Sequence, residues 1–248
     1  MITYFSHKVY FNHILIILSK YLKKVVFLKS YQNLVLLQNL YRLRAIGFEY
    51  IDHFDINIRQ KEDKPSSLQE LSQNITSCHL CDLSKSRKQS MSGYGNTNAE
   101  LFIIDYIVSQ AQDSANAYYC ANSGETLKKM IENVINIKVE DAYLTHAIKC
   151  KPLQSNRPSP SEWNSCKNYL FSQIEFVRPK VIVALGEEAY SHLTGDKDNF
   201  ENVRGHVIDY KDYKLVPIYH PQYLLRNPES KKITMNDLKT IKSCLNNL

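Results

Sequence analysis

Four cysteines in two pairs constrain this chain more than any other feature. Cys78-His79-Leu80-Cys81 is a short pair with two intervening residues, and Cys150 and Cys166 follow with fifteen residues between them. Two intervening residues let neighbouring thiolates converge on one ion or cluster, and the fold must then deliver the second pair. Four thiolates suit a structural zinc or an iron–sulfur cluster, and spacing alone does not choose between these. The competing reading is four separate buried thiols, because cysteine also behaves as a small core hydrophobe.

Six cysteines in 248 residues do not make a secreted disulfide scaffold. They fit a reducing compartment, so a cytoplasmic location is expected. Apolar content of 44% with 23% charged residues implies a packed core, and the length allows one substantial domain plus an extension. The net charge of +6 is confined to residues 1–50, where seven basic side chains face Glu49 alone (7 − 1 = +6). The remaining residues balance at 24 positive and 24 negative, so any grip on nucleic acid in the main domain needs local basic clusters.

Residues 9–28 carry the apolar run Ile14-Leu15-Ile16-Ile17-Leu18, but Lys20, Lys23 and Lys24 interrupt it too early for a membrane span. An amphipathic helix is expected there, and a second one over residues 31–46. The domain plan is a helical extension over 1–51, a polar linker over 52–66 and a main domain over 67–248. Ser67-Leu68-Gln69-Glu70 has capping-box spacing and starts a helix leading to Cys78. Continuous apolar runs at Leu101–Ile104, Ala142–Ile148 and Val181–Leu185 are strands of a parallel sheet. Between them come helices marked by Leu127, Met130, Ile131, Val134 and Ile135, and by the Ser159-Pro160-Ser161-Glu162 capping box. A hairpin over 207–219 and a helix over 234–246 complete an α/β pattern.

Ligands in such sheets bind beyond the carboxyl ends of the strands. That places the residues after Ile104, near His146, after Leu185, and at Tyr219-His220-Pro221 where chemistry can occur.

Several segments appear in a telling order: Cys-x-x-Cys, Lys149-Cys150-Lys151-Pro152, Asn156-Arg157-Pro158-Ser159-Pro160-Ser161-Glu162 with Cys166 following, Pro179-Lys180-Val181-Ile182-Val183-Ala184-Leu185-Gly186, Arg204-Gly205, and His220-Pro221-Gln222-Tyr223-Leu224-Leu225-Arg226. Together they resemble the iron–sulfur (family 4) uracil-DNA glycosylases over residues 67–245, reaching back to Arg44-Ala45-Ile46-Gly47. The resemblance implies a three-layer α/β/α sandwich with a central four-stranded, mainly parallel sheet. It implies a [4Fe-4S] cluster on Cys78, Cys81, Cys150 and Cys166, with zinc the lesser alternative. It also implies hydrolysis of the N-glycosidic bond of deoxyuridine, or of a related damaged base, in single- or double-stranded DNA by a monomer. His220 matches the histidine that stabilises charge on the leaving base. Tyr223, Leu224 and Leu225 match the loop entering the minor groove, and Arg204, Arg226 and Lys149 become phosphate contacts.

The first motif departs from the family. Where the family has Gly-Glu-Ala-Pro-Gly, an acidic pair and Gly-x-Pro-Phe-Val-Gly-x-x-Gly, this chain has Asp105-Tyr106-Ile107-Val108-Ser109, Gln112-Asp113 and Asn116 to Gly124. Only Asp113 and Gly124 survive as identities. Tyr106 stands for the water-organising glutamate, Tyr119 for the phenylalanine that stacks on uracil, and His146 for the asparagine that reads its edge. Asp105 and Asp113 are the candidates for a replacement carboxylate. A loop deprived of its glycines is expected to lose its shape. Two readings follow: a glycosylase with altered base preference, or a non-catalytic iron–sulfur DNA-binding module.

Overall fold

A computed structural model describes residues 37–38, 41–42, 65–153, 157–196 and 199–247. The expected helix over 9–28 lies outside the described residues, as do nearly all of the expected helix over 31–46 and of the linker over 52–66. Every element below belongs to the compact unit Asp63–Leu248.

In chain order the elements are α1 (Leu68–Thr76), α2 (Leu83–Ser86), β1 (Tyr94–Gly95), β2 (Leu101–Ile107), α3 (Gln110–Ala115), α4 (Ala121–Met130), β3 (Tyr143–Ile148), α5 (Pro160–Val177), β4 (Val181–Leu185), α6 (Gly186–Thr194), α7 (Phe200–Val203), β5 (Ile208–Tyr210), β6 (Tyr213–Ile218), α8 (Pro221–Arg226) and α9 (Lys231–Asn246). A π-helical turn, Ile131–Ile135, extends α4.

The sheet has six strands in the order β1-β3-β2-β4-β6-β5. This corrects the expected count of four. The four central strands, β3, β2, β4 and β6, are parallel, while β1 and β5 pair antiparallel at the two edges. The edge strands are two and three residues long and mostly outside the core, so they leave no hydrophobic period to read. The central strands are buried on both faces, which is why they read as unbroken apolar runs.

Alternation along each strand sorts the core into two layers. Leu101, Ile103, Leu144, Val183 and Val216 pack with α4, α8 and α9 on one side. Phe102, Ile104, Tyr143, Ile182 and Leu215 pack with α5 and α6 on the other. Helix α5 begins as expected: Ser159 Oγ accepts the Glu162 N–H at 3.3 Å while the Glu162 carboxylate accepts the Ser159 N–H at 2.6 Å. Such a cap contributes about 1 kcal/mol. Ser67 caps α1 in the same way, but Glu70 turns to Ser66 rather than completing a reciprocal box. No helix among the described residues is long and apolar enough to cross a membrane.

Candidate active site and thiol hollow

Three strand ends assemble one polar cluster. Asp105 near the end of β2 is the register partner of His146 on β3, so both side chains leave the same sheet face. His220 stands two residues beyond β6 and caps α8, its Nδ1 accepting the Gln222 N–H at 3.1 Å. Strand β4 runs between β2 and β6, and His220 must reach across its end. The residue there is Gly186, at φ +84°, where a Cβ would lie 3.3 Å from the His220 Cβ. The bare backbone at 186 leaves that lane open. His220 Nε2 thereby comes within 3.2 Å of Asp105 Oδ1, and His146 Nε2 lies 3.7 Å from Asp105 Oδ2.

Hydrogen bonding fixes where the ring protons sit. In the neutral ring His220 Nδ1 is the acceptor, so the proton is on Nε2 and points at Asp105. His146 Nε2 lies 3.2 Å from Gln112 Oε1. That oxygen is identified as the acceptor because it also takes the Ser109 N–H at 2.9 Å, while Gln112 Nε2 donates to the Tyr118 carbonyl at 3.1 Å. His146 therefore carries its proton on Nε2. Its Nδ1 lone pair is buried and has no hydrogen-bond partner among the described residues.

The electrostatics follow from this layout. Burial works to raise the Asp105 pKa, but the charge and hydrogen bond of His220, with His146 and the Tyr106 N–H, hold the carboxyl below its ordinary range. Burial pulls His220 down, and the Asp105 charge and hydrogen bond outweigh it, so its pKa stands raised. Burial dominates at His146 and lowers its pKa to about 4, so that ring is neutral at neutral pH.

The altered loop keeps a backbone that glycine normally supplies. Asn116 at φ +51° and Ala121 at φ +56° occupy the left-handed region at two positions where the family pattern has glycine. Asparagine tolerates that region, whereas alanine does so at a cost of about 1–2 kcal/mol. The retained Gly124 is where a Cβ would come within 2.7 Å of the Tyr119 backbone. The loop expected to suffer from the loss of its glycines thus holds two non-glycine residues at positive φ.

Other expected site residues are placed differently. Tyr106 leaves β2 on the opposite face from Asp105, with its hydroxyl 3.3 Å from His192 Nε2, and so does not join the cluster. Asp113 is buried and its carboxylate accepts the Lys88 and Gln89 N–H groups, which makes it a loop anchor. Tyr119 packs edge-on to Tyr94 at 5.8 Å, while Tyr118 is the ring stacked on His146 at 5.3 Å. Arg204 is buried, 2.5 Å from Asp237 and 4.9 Å above the Tyr219 ring, and is no free phosphate contact. Lys149 is also buried, its Nζ donating to Thr145 Oγ1, the His146 carbonyl and Gln173 Oε1. Leu224 is a core residue, whereas Tyr223 and Leu225 are each 41% exposed and Arg226 is exposed beside them. Tyr223 stacks on Tyr219 at 4.6 Å. Gln112 and Tyr118 are the two cluster residues that the sequence reading missed. The Ser109-x-x-Gln112 capping-box spacing was the available signal for the first.

The four cysteines of the two pairs line one hollow, with Ile75, Arg87 and Tyr169 among its walls. Cys150 and Cys166 are buried, and Cys78 and Cys81 are partly so. Arg87 Nη1 donates to Cys150 Sγ at 2.9 Å and the Lys149 N–H to Cys166 Sγ at 3.3 Å. Burial pushes the Cys166 thiol up to about 11 and raises Cys81 and Cys150 as well. Buried thiols of that kind ionise readily only against a strong positive charge. Among the described residues no three cysteine, histidine or carboxylate side chains close on a single ion.

Comparison with known proteins places this architecture. The family model described as Uracil DNA glycosylase superfamily matches residues 92–240, from β1 into α9. A type-4 uracil-DNA glycosylase of Thermotoga maritima is 32% identical over 177 residues, covering 70% of this chain and 92% of its own length. The type-4 uracil-DNA glycosylase of Archaeoglobus fulgidus is 31% identical over 183 residues, covering 71% and 92%. A type-5 uracil-DNA glycosylase of Pyrobaculum aerophilum is 31% identical over a shorter 109 residues, 42% of this chain and 46% of its own. A parallel sheet with its polar cluster at the strand ends, matched over most of its length by relatives of this kind, makes the chain a member of the uracil-DNA glycosylase superfamily.

Proposed function

We propose that the chain is a DNA N-glycosylase that excises uracil or a related deaminated base, with its four paired cysteines holding a [4Fe-4S] cluster. The observation that carries the reading is the Asp105–His220 pair, held 3.2 Å apart at the carboxyl ends of the strands. Its likeness to type-4 uracil-DNA glycosylases supplies the substrate class.

An extruded base loses its bond to the sugar most easily where negative charge building on its carbonyl meets a fixed donor. His220 carries its proton on Nε2, with Nδ1 taken by the Gln222 N–H, and becomes the donor when the base carbonyl takes the place of Asp105 Oδ1 at that proton. The Asp105 carboxylate, ionised below its ordinary range, orients the attacking water and steadies the imidazole. His146 offers the Nδ1 lone pair to an N–H on the base edge, in place of the donor and acceptor that an asparagine presents. Tyr223, Leu225 and Arg226 form the exposed DNA-facing edge, where an apolar or aromatic side chain fills the gap left in the stack.

Cys78, Cys81, Cys150 and Cys166 suit the cluster because all four line one hollow. A tetrahedral zinc, with Zn–S of about 2.3 Å, would draw its sulfurs to within about 4 Å of each other. Held by these four sulfurs, a cluster would tie the loops after α1 and β3 to α5.

Incubation of iron-loaded protein with a uracil-containing single strand, followed by cleavage of abasic sites, tests the reading. The expected result is an abasic product, reduced about 10²–10³-fold in His220→Ser. No product from uracil or deaminated purines, with salt-dependent DNA retention intact, would sink the enzyme and leave the non-catalytic DNA-binding module.

A further inference from the structure

We infer that Arg87 is the residue that assembles the thiol set and compensates its charge, so that cluster retention depends on its guanidinium fork. This rests on the cluster reading above. Arg87 lies nine residues after the first cysteine, in the extended segment that leaves α2, and it belongs to neither cysteine pair. Its two terminal nitrogens nevertheless join both. Nη1 donates to Cys150 Sγ at 2.9 Å, and Nη2 donates to the Cys78 carbonyl at 2.7 Å and the Thr76 carbonyl at 3.3 Å. One planar group thus ties the end of α1, which leads into the first pair, to the loop after β3, which carries Cys150 of the second.

The chemistry of the hollow explains why such a group is needed. Four thiolates around one inorganic core leave net negative charge in a partly buried, apolar-walled space, and that charge is costly without nearby cations or donors. The other basic side chain on the wall, Lys149, spends its hydrogen bonds on Thr145, His146 and Gln173 and acts on Cys166 and Cys150 through its charge alone. The remaining sulfur partners are neutral: the Lys149 N–H on Cys166 and the Tyr169 hydroxyl on Cys78. Among the lining side chains Arg87 alone donates a charged hydrogen bond to a sulfur. A lysine could restore the charge but not the fork, because an ammonium on a flexible stem cannot hold a sulfur and two carbonyls in one plane.

The test compares parent, Arg87→Lys and Arg87→Gln as full chains, loaded with iron and sulfide. Iron per chain, the rate of bleaching near about 400 nm in air, and the reduction potential are read together, with far-ultraviolet dichroism to confirm folding. Arg87→Gln is expected to lose its cluster about tenfold faster or more, the usual cost of removing an outer-sphere partner. Its potential should move negative because an anionic core loses a cation, and Arg87→Lys should recover the potential better than the retention. Folded variants that keep parental iron content, bleaching rate and potential would overturn the inference while leaving the cluster reading intact. A parent that takes up zinc alone, or no metal, would overturn both. If Arg87→Gln failed to fold, Arg87→Lys would decide, since parental retention with a lysine excludes a need for the fork.

Discussion

The thiol hollow and the strand-end cluster are built by opposite means. The hollow has a cysteine at each of the four positions proposed to hold a cluster and depends on loops, α1 and α5 to gather them. The strand-end cluster keeps little of the family's first motif, yet Asp105, His146 and His220 meet because sheet register and strand order put them there. Ligation requires a specific atom, so it tolerates no substitution. A strand-end site requires a position, and several side chains can serve a position in different ways. Replacement at Asp105 and His146 therefore alters the chemistry of the site without dispersing it.

The contrast can be broken most forcefully at a ligand. Cys166→Ser should empty the hollow and lower stability by more than about 4 kcal/mol, the range of substitutions that remove a metal centre. An unchanged unfolding midpoint with iron still bound would mean that Cys166 is not one of the ligands. Next in size is Arg204→Ala, which strands Asp237 beneath α7 and should cost about 3 kcal/mol. Its effect should appear in denaturant midpoints and leave the salt slope of DNA binding alone. Arg226→Ala should do the reverse, reducing that slope by about one phosphate contact; equal slopes in both variants would contradict the division into buried tie and exposed contact.

Protonation offers a finer separation. Asp105 raises the His220 pKa, so the stabilisation from that ionised pair is complete below the ordinary histidine value of about 6.5 and fades as pH rises through the raised folded value. From the carboxylate side, where the pKa is depressed, the same stabilisation holds above about 3.8 and fails as pH drops through the lowered value. His146 works in the other direction. Its folded pKa of about 4 lies below the unfolded one, so its contribution falls as pH drops from about 6.5 towards 4. In Asp105→Asn the His220 ring, followed by NMR, should titrate lower than in the parent, and an unmoved titration would show that the carboxylate is not its partner. The smallest effect belongs to the loop: Ala121→Gly should raise stability by about 1 kcal/mol by relieving the left-handed alanine. A loss of stability there would show that the turn is held by its side chain.

Much of the frame was legible before any coordinates. The apolar runs of β2, β3 and β4 could hardly be anything but buried parallel strands, and Ser159-Pro160 with Glu162 marked the start of α5 to the residue. The short edge strands β1 and β5 were not visible, because two or three half-exposed residues carry no period. Within the site, Asp105 and His220 were visible as strand-end polar residues. Tyr106 was misplaced because a difference of one residue along a strand reverses the face a side chain leaves from. Lys149 and Arg204 looked like free cations, since nothing local shows that Gln173 and Asp237 will arrive from elsewhere in the chain.

What the amino-acid order determined alone is the set of local commitments: which runs are buried, where helices are capped, and which four sulfurs are available as ligands. These depend on neighbours within a few positions, so they can be read from the chain. Tertiary structure alone decided which polar groups are spent on one another and which remain for chemistry. Partnership depends on distances between segments far apart in the chain, and Asp105 meets His220 across the end of β4, where Gly186, the residue after that strand, has no side chain.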